Sequence, residues 1–311
     1  MYRDMRVHVV VPAYNERDFV GNVIRTMPAF VDRVFVVDDG STDDTAAVAS
    51  ASGDARVEVV RTGRNLGVGG ATITGYRRAL AESAQIIVKM DGDGQMPPEE
   101  LPLLLDAIID GRADYAKGNR FLRGEFIHRM PRNRIVGNVV LTFLTKLASG
   151  YWNVFDPQNG YTAIRASALR LLPLDRISPW FFFENDMLVH LNILSLRVVD
   201  VPMSPVYGSE WSDLHIPQVI LRFPPLLVRR FAFRVLEKYV IRDFSPIALF
   251  LAIGMVGLAF GIGFGAFLWI RSFINWQPTP TGSIMLSLLA IVLGFQLCLQ
   301  AIVLDIQATP R

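Results

Sequence analysis

Two stretches near the C-terminal end, Ile247 to Ile270 and Ile284 to Leu304, contain no charged residue. Nothing else in the chain limits its fold so strongly. A bilayer core of ~30 Å needs roughly 20 helical residues to span it, and each run is long enough. A pair of buried core helices is the competing reading, but uncharged apolar runs of ~18 or more residues are the usual membrane signal. Both runs sit too late to be a signal peptide, and Met1 to Arg6 has no apolar segment, so the N-terminal part is expected not to be exported.

Charge around these runs sets an expected orientation. Arg222, Arg229, Arg230, Arg234, Lys238 and Arg242 precede the first run, whereas Arg271 to Ser283 carries one Arg and no Lys. Basic flanks mark the cytoplasmic side. The sequence therefore predicts an integral membrane protein with two spanning helices, its N-terminal domain and C-terminus cytoplasmic. The basic cluster also suits anionic membrane lipids. Pro217 to Val240 reads as a segment broken at Pro224-Pro225. Beyond that break, Leu226 to Tyr239 places Phe231, Val235 and Tyr239 on one helical face beside Arg230, Arg234 and Lys238, the pattern of a helix lying in the interface. Gly257, Gly261 and Gly265 recur every four residues, which predicts a homo-oligomer packed through that small-residue face. Net charge over all 311 residues is only +2, so no nucleic-acid partner is expected. The single cysteine, Cys298, and the dispersed His8, His128, His190 and His215 give neither a disulfide nor a Cys/His metal site.

Before Asp243 the chain alternates short apolar runs with helical stretches. Val7 to Val11, Val34 to Val37, Val57 to Val60 and Ile86 to Met90 read as strands; Glu16 to Met27, Asp43 to Ser52 and Gly69 to Ser83 read as helices. Such alternation predicts an α/β fold with a mostly parallel, Rossmann-like sheet. Ligands of these sheets bind at the carboxyl ends of the strands. Three polar clusters fall there: Pro12 to Glu16, Asp38 to Ser41 and Asp91 to Gln95.

Each cluster has a chemistry. Asp91-Gly92-Asp93 sets two carboxylates on a glycine turn, where both can face one hard cation that also takes substrate phosphate oxygens. Such a metal neutralises a diphosphate leaving group. Asp39 offers a carboxylate to a base or ribose, although Ser41 and Thr42 also suit a helix cap. Tyr14 offers a ring to a nucleobase, with Glu16 as an acceptor. Arg120, Arg123, Arg129, Arg132 and Arg134 form a basic stretch whose planar guanidinium groups match phosphate.

These motifs in this order, with Gly67-Val68-Gly69-Gly70, Asp156-Pro157-Gln158-Asn159-Gly160-Tyr161 and Phe183-Glu184-Asn185-Asp186, resemble the family 2 glycosyltransferases of the GT-A fold, from about Arg6 to Tyr207. With two membrane helices appended, the chain resembles the polyprenyl-phosphate branch: dolichyl-phosphate mannose synthases and undecaprenyl-phosphate glucosyltransferases. The resemblance implies a GT-A catalytic domain over 1–210, an amphipathic interface region over 211–243 and a two-helix anchor over 244–311. It implies nucleotide contacts from Pro12, Tyr14, Glu16, Val37, Asp39, Asp91 and Gln95. Mg²⁺ or Mn²⁺ would be held at Asp91, Asp93 and Gln95, and the acceptor phosphate at Arg120, Arg134 and Asn138. Asp156, Asp93 and Asp186 are its candidate catalytic carboxylates. Asp156 is expected to orient and polarise rather than remove a proton, since a phosphate acceptor is already anionic near neutral pH. The implied reaction is inverting transfer of one hexose from a nucleotide-diphosphate sugar, UDP-glucose first and GDP-mannose as the alternative, to undecaprenyl or dolichyl phosphate. A processive synthase is disfavoured: Gln218 to Phe223 lacks the Gln-x-x-Arg-Trp spacing and its Trp. Intact carboxylates disfavour a non-catalytic lipid-binding module.

Overall fold

The computed structural model describes residues 1–122, 132–204 and 216–310, with side chains from Val139 onward in the second segment and from Arg222 onward in the third. The chain divides into two compact units, Met1–Phe231 with Pro310–Arg311, and Ala232–Thr309. The segment 211–243, expected as one interface region, is divided between them.

The first unit is built on seven strands: β1 (Val7–Ala13), β2 (Arg33–Asp38), β3 (Val57–Arg61), β4 (Ile86–Lys89), β5 (Tyr115–Asn119), β6 (Thr162–Arg165) and β7 (Val198–Pro202). They form one sheet in the order β3-β2-β1-β4-β6-β5-β7. β1 pairs in parallel with β2 and β4, and β2 with β3; β6 runs antiparallel to both β4 and β5, while β5 and β7 are parallel. The central strands are apolar without alternation because both faces are covered. Val7, Val9 and Val11 join one buried cluster and Val10 the other.

Helices α1 (Val20–Arg25), α2 (Thr45–Ser50), α3 (Val68–Ala81), α4 (Leu101–Ile109), α5 (Arg132–Ser149), α6 (Ala166–Leu169), α7 (Phe183–Ile193) and α8 (Ile216–Arg234) surround the strands in sequence. α3 lies close on β1: a Cβ added at Gly75 would sit 2.2 Å from Val10 Cγ1. Two sequence expectations change. The first helix starts at Val20 rather than Glu16, because Asn15 is left-handed (φ 57°) and its Oδ1 accepts from Thr42 N at 2.9 Å, while Glu16 N donates to Thr45 Oγ1 at 2.8 Å. These bonds hold 15–16 as a loop against the turn after β2. Second, Pro224 and Pro225 do not break the chain; α8 runs through them. Each proline forfeits one backbone donor, and packing of Phe223 and Leu227 with Ala148 and Phe182 opposes that loss.

The second unit holds a π-helical segment, Val235–Arg242, then α9 (Pro246–Asn275) and α10 (Thr281–Gln307). At 1.5 Å per residue the 30 and 27 residues of α9 and α10 reach about 45 and about 40 Å. Both are long and apolar enough to cross a membrane, and most of their apolar side chains face outward. Arg234 is fully buried; its Nη1 donates to Asp305 Oδ1 at 2.7 Å and its Nη2 to Asp305 Oδ2 at 3.0 Å, while Tyr239 Oη donates to Asp305 Oδ1 at 2.5 Å. Arg234 and Tyr239 therefore do not form the interface stripe expected of them: the desolvated guanidinium pairs with the carboxylate of Asp305.

The glycine face is also corrected. A Cβ at Gly261 would lie 2.7 Å from Ile291 Cγ1, one at Gly254 2.7 Å from Cys298 Sγ, and one at Gly265 2.6 Å from Ser287 Oγ. A Cβ at Gly257 would lie 3.4 Å from Gly294 Cα, ordinary contact distance. The small-residue face is filled by α10 of the same chain, so it is not available for self-association. Ser287 Oγ completes the contact by donating to Gly261 O at 2.7 Å. Gly261→Leu should therefore lower the unfolding midpoint in detergent, at a cost of about 1–3 kcal/mol from overpacking, with particle mass unchanged. A normal midpoint with reduced mass would instead mark an intermolecular contact.

Candidate active site

β1, β2 and β4 are parallel neighbours, so their carboxyl ends bring the three polar clusters onto one rim of the sheet. Gly92 N donates to Pro12 O at 3.1 Å, which fastens the acidic turn to the end of β1. Gly94 supplies the left-handed residue of that turn (φ 74°), and Asp93 Oδ1 accepts from Gln95 N at 2.9 Å. Asp91 and Asp93 are both partly exposed and share this turn.

Beneath it lies a buried ion cluster. Lys89, 1% exposed, places Nζ 2.8 Å from Asp91 Oδ1 and 3.1 Å from Glu184 Oε1 on α7. Burial opposes its charge, yet Asp91 and Glu184 together raise its pKa above the ordinary lysine value. Gly160 gives the cluster clearance: a Cβ there would sit 2.5 Å from Lys89 Nζ and 2.7 Å from Asp91 Oδ2. Lys117 on β5 is also fully buried and donates to Asn159 O. Burial lowers its pKa to about 8, partly countered by Glu184, Asp156 and Asp200. Lys117 thus fixes the backbone of the turn that carries Asp156.

Asp156 and Arg120, expected in different roles, meet each other. Arg120 Nε donates to Asp156 Oδ2 at 2.8 Å, Arg120 Nη2 to Oδ1 at 3.0 Å, and Arg120 N to Oδ2 at 3.2 Å. Such a two-pronged pair fixes the guanidinium plane. Asp156 is buried, while Arg120 remains 38% exposed, so the cation rather than the carboxylate reaches the surface. Behind them Asp200 on β7 accepts from Phe155 N at 2.7 Å and from Asn119 Nδ2 at 2.5 Å. Burial pushes its carboxyl up to about 6 against those bonds.

Of the nucleotide positions, Pro12 and Val37 are paired in register and buried within β1 and β2. They shape the rim rather than project from it. Tyr14 is 44% exposed and Glu16 half-buried. Asp39 differs from expectation. It is buried, and its carboxylate accepts from Leu66 N at 2.9 Å, Gly67 N at 2.8 Å and Thr62 Oγ1 at 3.0 Å. Those donors make it the anchor of the loop after β3.

Asp186 also has partners within the chain. It is fully buried at the start of α7, where Oδ2 accepts from Ser178 N at 2.8 Å and from Arg230 Nη2 at 2.6 Å. It ties α8 to α7, and Arg230 is thereby withdrawn from the expected lipid-facing set. Asn185 Oδ1 accepts from Thr145 Oγ1 and Gln158 Nε2, each at 3.1 Å. Arg134 and Asn138 lie on α5, but their side chains fall outside the described residues, as do those of Arg123, Arg129 and Arg132. Lys89, Lys117 and Glu184 were missed as site residues. The available signal was charge in unsuitable places: lysines inside the buried runs Ile86–Lys89 and Tyr115–Asn119.

The acidic glycine turn follows β4, and the partly exposed Arg120 follows β5. Comparison with known proteins gives the family. The profile described as Glycosyl transferase family 2 matches residues 8–172, more than half the chain. The chain belongs to glycosyltransferase family 2. A UDP-N-acetylglucosamine–dolichyl-phosphate N-acetylglucosaminyltransferase of Methanococcus voltae is 30% identical to this glycosyltransferase, over 71% of the present chain and 93% of its own. An undecaprenyl-phosphate mannosyltransferase of Micrococcus luteus is 34% identical, over 64% and 83%. The polyprenol monophosphomannose synthase of Mycolicibacterium smegmatis is 33% identical, over 64% and 77%. Among solved structures, glucosyl-3-phosphoglycerate synthase of Mycobacterium tuberculosis with uridine diphosphate aligns at TM-score 0.57 and 24% identity, over 74% of this chain and 81% of that one. That likeness identifies the fold as GT-A.

Proposed function

We propose that this family 2 glycosyltransferase moves one sugar from a nucleotide-diphosphate donor to the phosphate of a polyprenol, with inversion, at the cytoplasmic face of a membrane. One observation carries the reading: a family 2 site and two outward-facing apolar helices occupy the same chain. Spanning helices hold a catalytic domain at the membrane surface, where the phosphate of a lipid acceptor lies. The names of the three relatives point the same way: two are transferases named for dolichyl or undecaprenyl phosphate, and one is a polyprenol monophosphomannose synthase. Arg222, Arg229 and Arg242 are exposed before α9, whereas Arg271 is the one basic residue near its far end and Trp276 to Pro280, before α10, carry no charge, which favours the cytoplasmic assignment.

Asp91 and Asp93 fit a divalent cation: two carboxylates on one glycine turn, with Gly160 leaving the Asp91 oxygens clear. With Gln95 they would hold Mg²⁺ or Mn²⁺, which would supply positive charge to the leaving diphosphate. The chain's own groups do the rest. Tyr14 and Glu16 border the nucleotide at the end of β1, and Asp39 holds the adjoining loop. Arg120, oriented by Asp156, meets the acceptor phosphate, with Arg134 and Asn138 as its proposed companions. An acceptor phosphate is already an anion, so placing it in line matters more than removing a proton. Asp156 therefore serves as a positioning residue.

The donor is proposed to be a UDP-hexose, UDP-glucose first. GDP-mannose is the second reading, favoured by the mannosyl relatives. A screen of purified protein against UDP- and GDP-sugars, reading nucleotide release with and without polyprenyl phosphate, tests both. Release that depends on the lipid phosphate is expected. Equal release without lipid would overturn the acceptor assignment.

A further inference from the structure

The two carboxylates of the acidic turn are not equivalent. Among the described residues, no third His, Cys, Asp or Glu joins them to complete a metal cage. Asp91 Oδ1 also lies 2.8 Å from a lysine ammonium that solvent cannot reach. Lys89 sits on β4, two residues before Asp91, with its side chain 1% exposed. It is held from the far side by Glu184 at 3.1 Å, itself only 10% exposed. A flexible surface lysine would move aside for an incoming cation. This one is fixed by its place in the strand and by Glu184, and Gly160 beside it leaves room for Nζ where any side chain would collide with it.

We propose that Lys89 is a positioning residue that keeps the Asp91–Asp93 site too weak to hold a divalent cation alone, so that metal is retained only together with a diphosphate. This rests on the reading of Asp91 and Asp93 as the metal site. The physical argument is charge at short range. A fixed ammonium against one carboxylate oxygen neutralises part of that ligand and repels a dication bound to the other oxygen, and at the effective dielectric of a partly buried site such repulsion is large. Mg²⁺ and Mn²⁺ at sites of one or two carboxylates draw their remaining ligands from water and substrate phosphate. Lys89 moves that balance further toward the phosphate. The consequence is economy of occupancy: the site releases its metal when the nucleoside diphosphate leaves, which clears the rim for the next donor.

The test is Mn²⁺ binding, followed by the electron paramagnetic resonance signal of free Mn²⁺, on the full chain in detergent with and without UDP. Lys89→Met alone would strand Glu184 as a buried charge, so the informative variant is Lys89→Met/Glu184→Gln, which removes the pair together and keeps both shapes. Wild type is expected to bind Mn²⁺ at least about tenfold more tightly with UDP than without. The double variant is expected to bind Mn²⁺ without UDP about tenfold more tightly than wild type, narrowing the nucleotide dependence. Mere structural damage would lower that affinity rather than raise it. Unchanged or weaker Mn²⁺ binding by a double variant that still takes up Mn²⁺ with UDP would overturn the inference and leave the metal site standing. No Mn²⁺ uptake by wild type with UDP would overturn the metal site itself, and the inference with it.

Discussion

Asp93→Asn is expected to lower kcat by about 10²–10³, the usual cost of losing one positioned electrostatic group at a reacting centre. Asparagine is the right replacement because Asp93 does two things. Its Oδ1 accepts from Gln95 N at 2.9 Å and shapes the turn, and its charge serves the metal. Asparagine keeps the acceptor and removes only the charge. The protein should therefore fold normally, with an unchanged unfolding midpoint, while Mn²⁺ uptake in the presence of UDP falls. An Asp93→Asn enzyme with full activity in EDTA would show that the carboxylate pair is not a metal site.

The second large effect lies at the Asp156–Arg120 pair. Asp156→Asn and Arg120→Gln should each lower transfer by about 10² or more, and the double variant should be no slower than the worse single. Groups that act as a unit behave this way, because once the unit is broken the second change has nothing left to remove. The basis is the doubled hydrogen bond at 2.8 and 3.0 Å between a buried carboxylate and a partly exposed guanidinium. The loss should appear in acceptor KM and kcat, with UDP affinity in a direct binding titration nearly unchanged. Multiplying effects would mean that Asp156 and Arg120 act on different parts of the reaction.

Much of the fold was legible because its signals are local. Val34 to Val37 and Ile86 to Val88 are apolar on every residue, which marks strands covered on both faces, and the turn motifs at their ends fall on the expected rim. The two long helices are equally plain from their lack of charge. What misled was pairing. Periodicity placed Gly257, Gly261 and Gly265 on one face, but it carries no information on whether the facing helix comes from the same chain. The partners of Asp39 and Asp186 within the chain were hidden because they are distant in sequence: Leu66 and Gly67 lie 27 and 28 residues from Asp39, and Arg230 lies 44 from Asp186. Pro224-Pro225 read as a break because a proline's lost donor is visible in sequence, whereas the packing of Phe223 and Leu227 that opposes it is not. Lys89 was the reverse case, a charge inside an apolar strand that had no purpose until Asp91 and Glu184 were seen around it.

The central claim is that a single sugar is placed on a lipid phosphate. Its most direct test is mass spectrometry of the lipid products after full-length protein in detergent has been incubated with undecaprenyl phosphate, Mn²⁺ and either UDP-glucose or GDP-mannose. One species is expected, the polyprenyl phosphate bearing one hexose, formed from one of the two donors and absent from the Asp93→Asn reaction. Donor consumption with unmodified lipid, or a ladder of lipids bearing several sugars, would contradict the account.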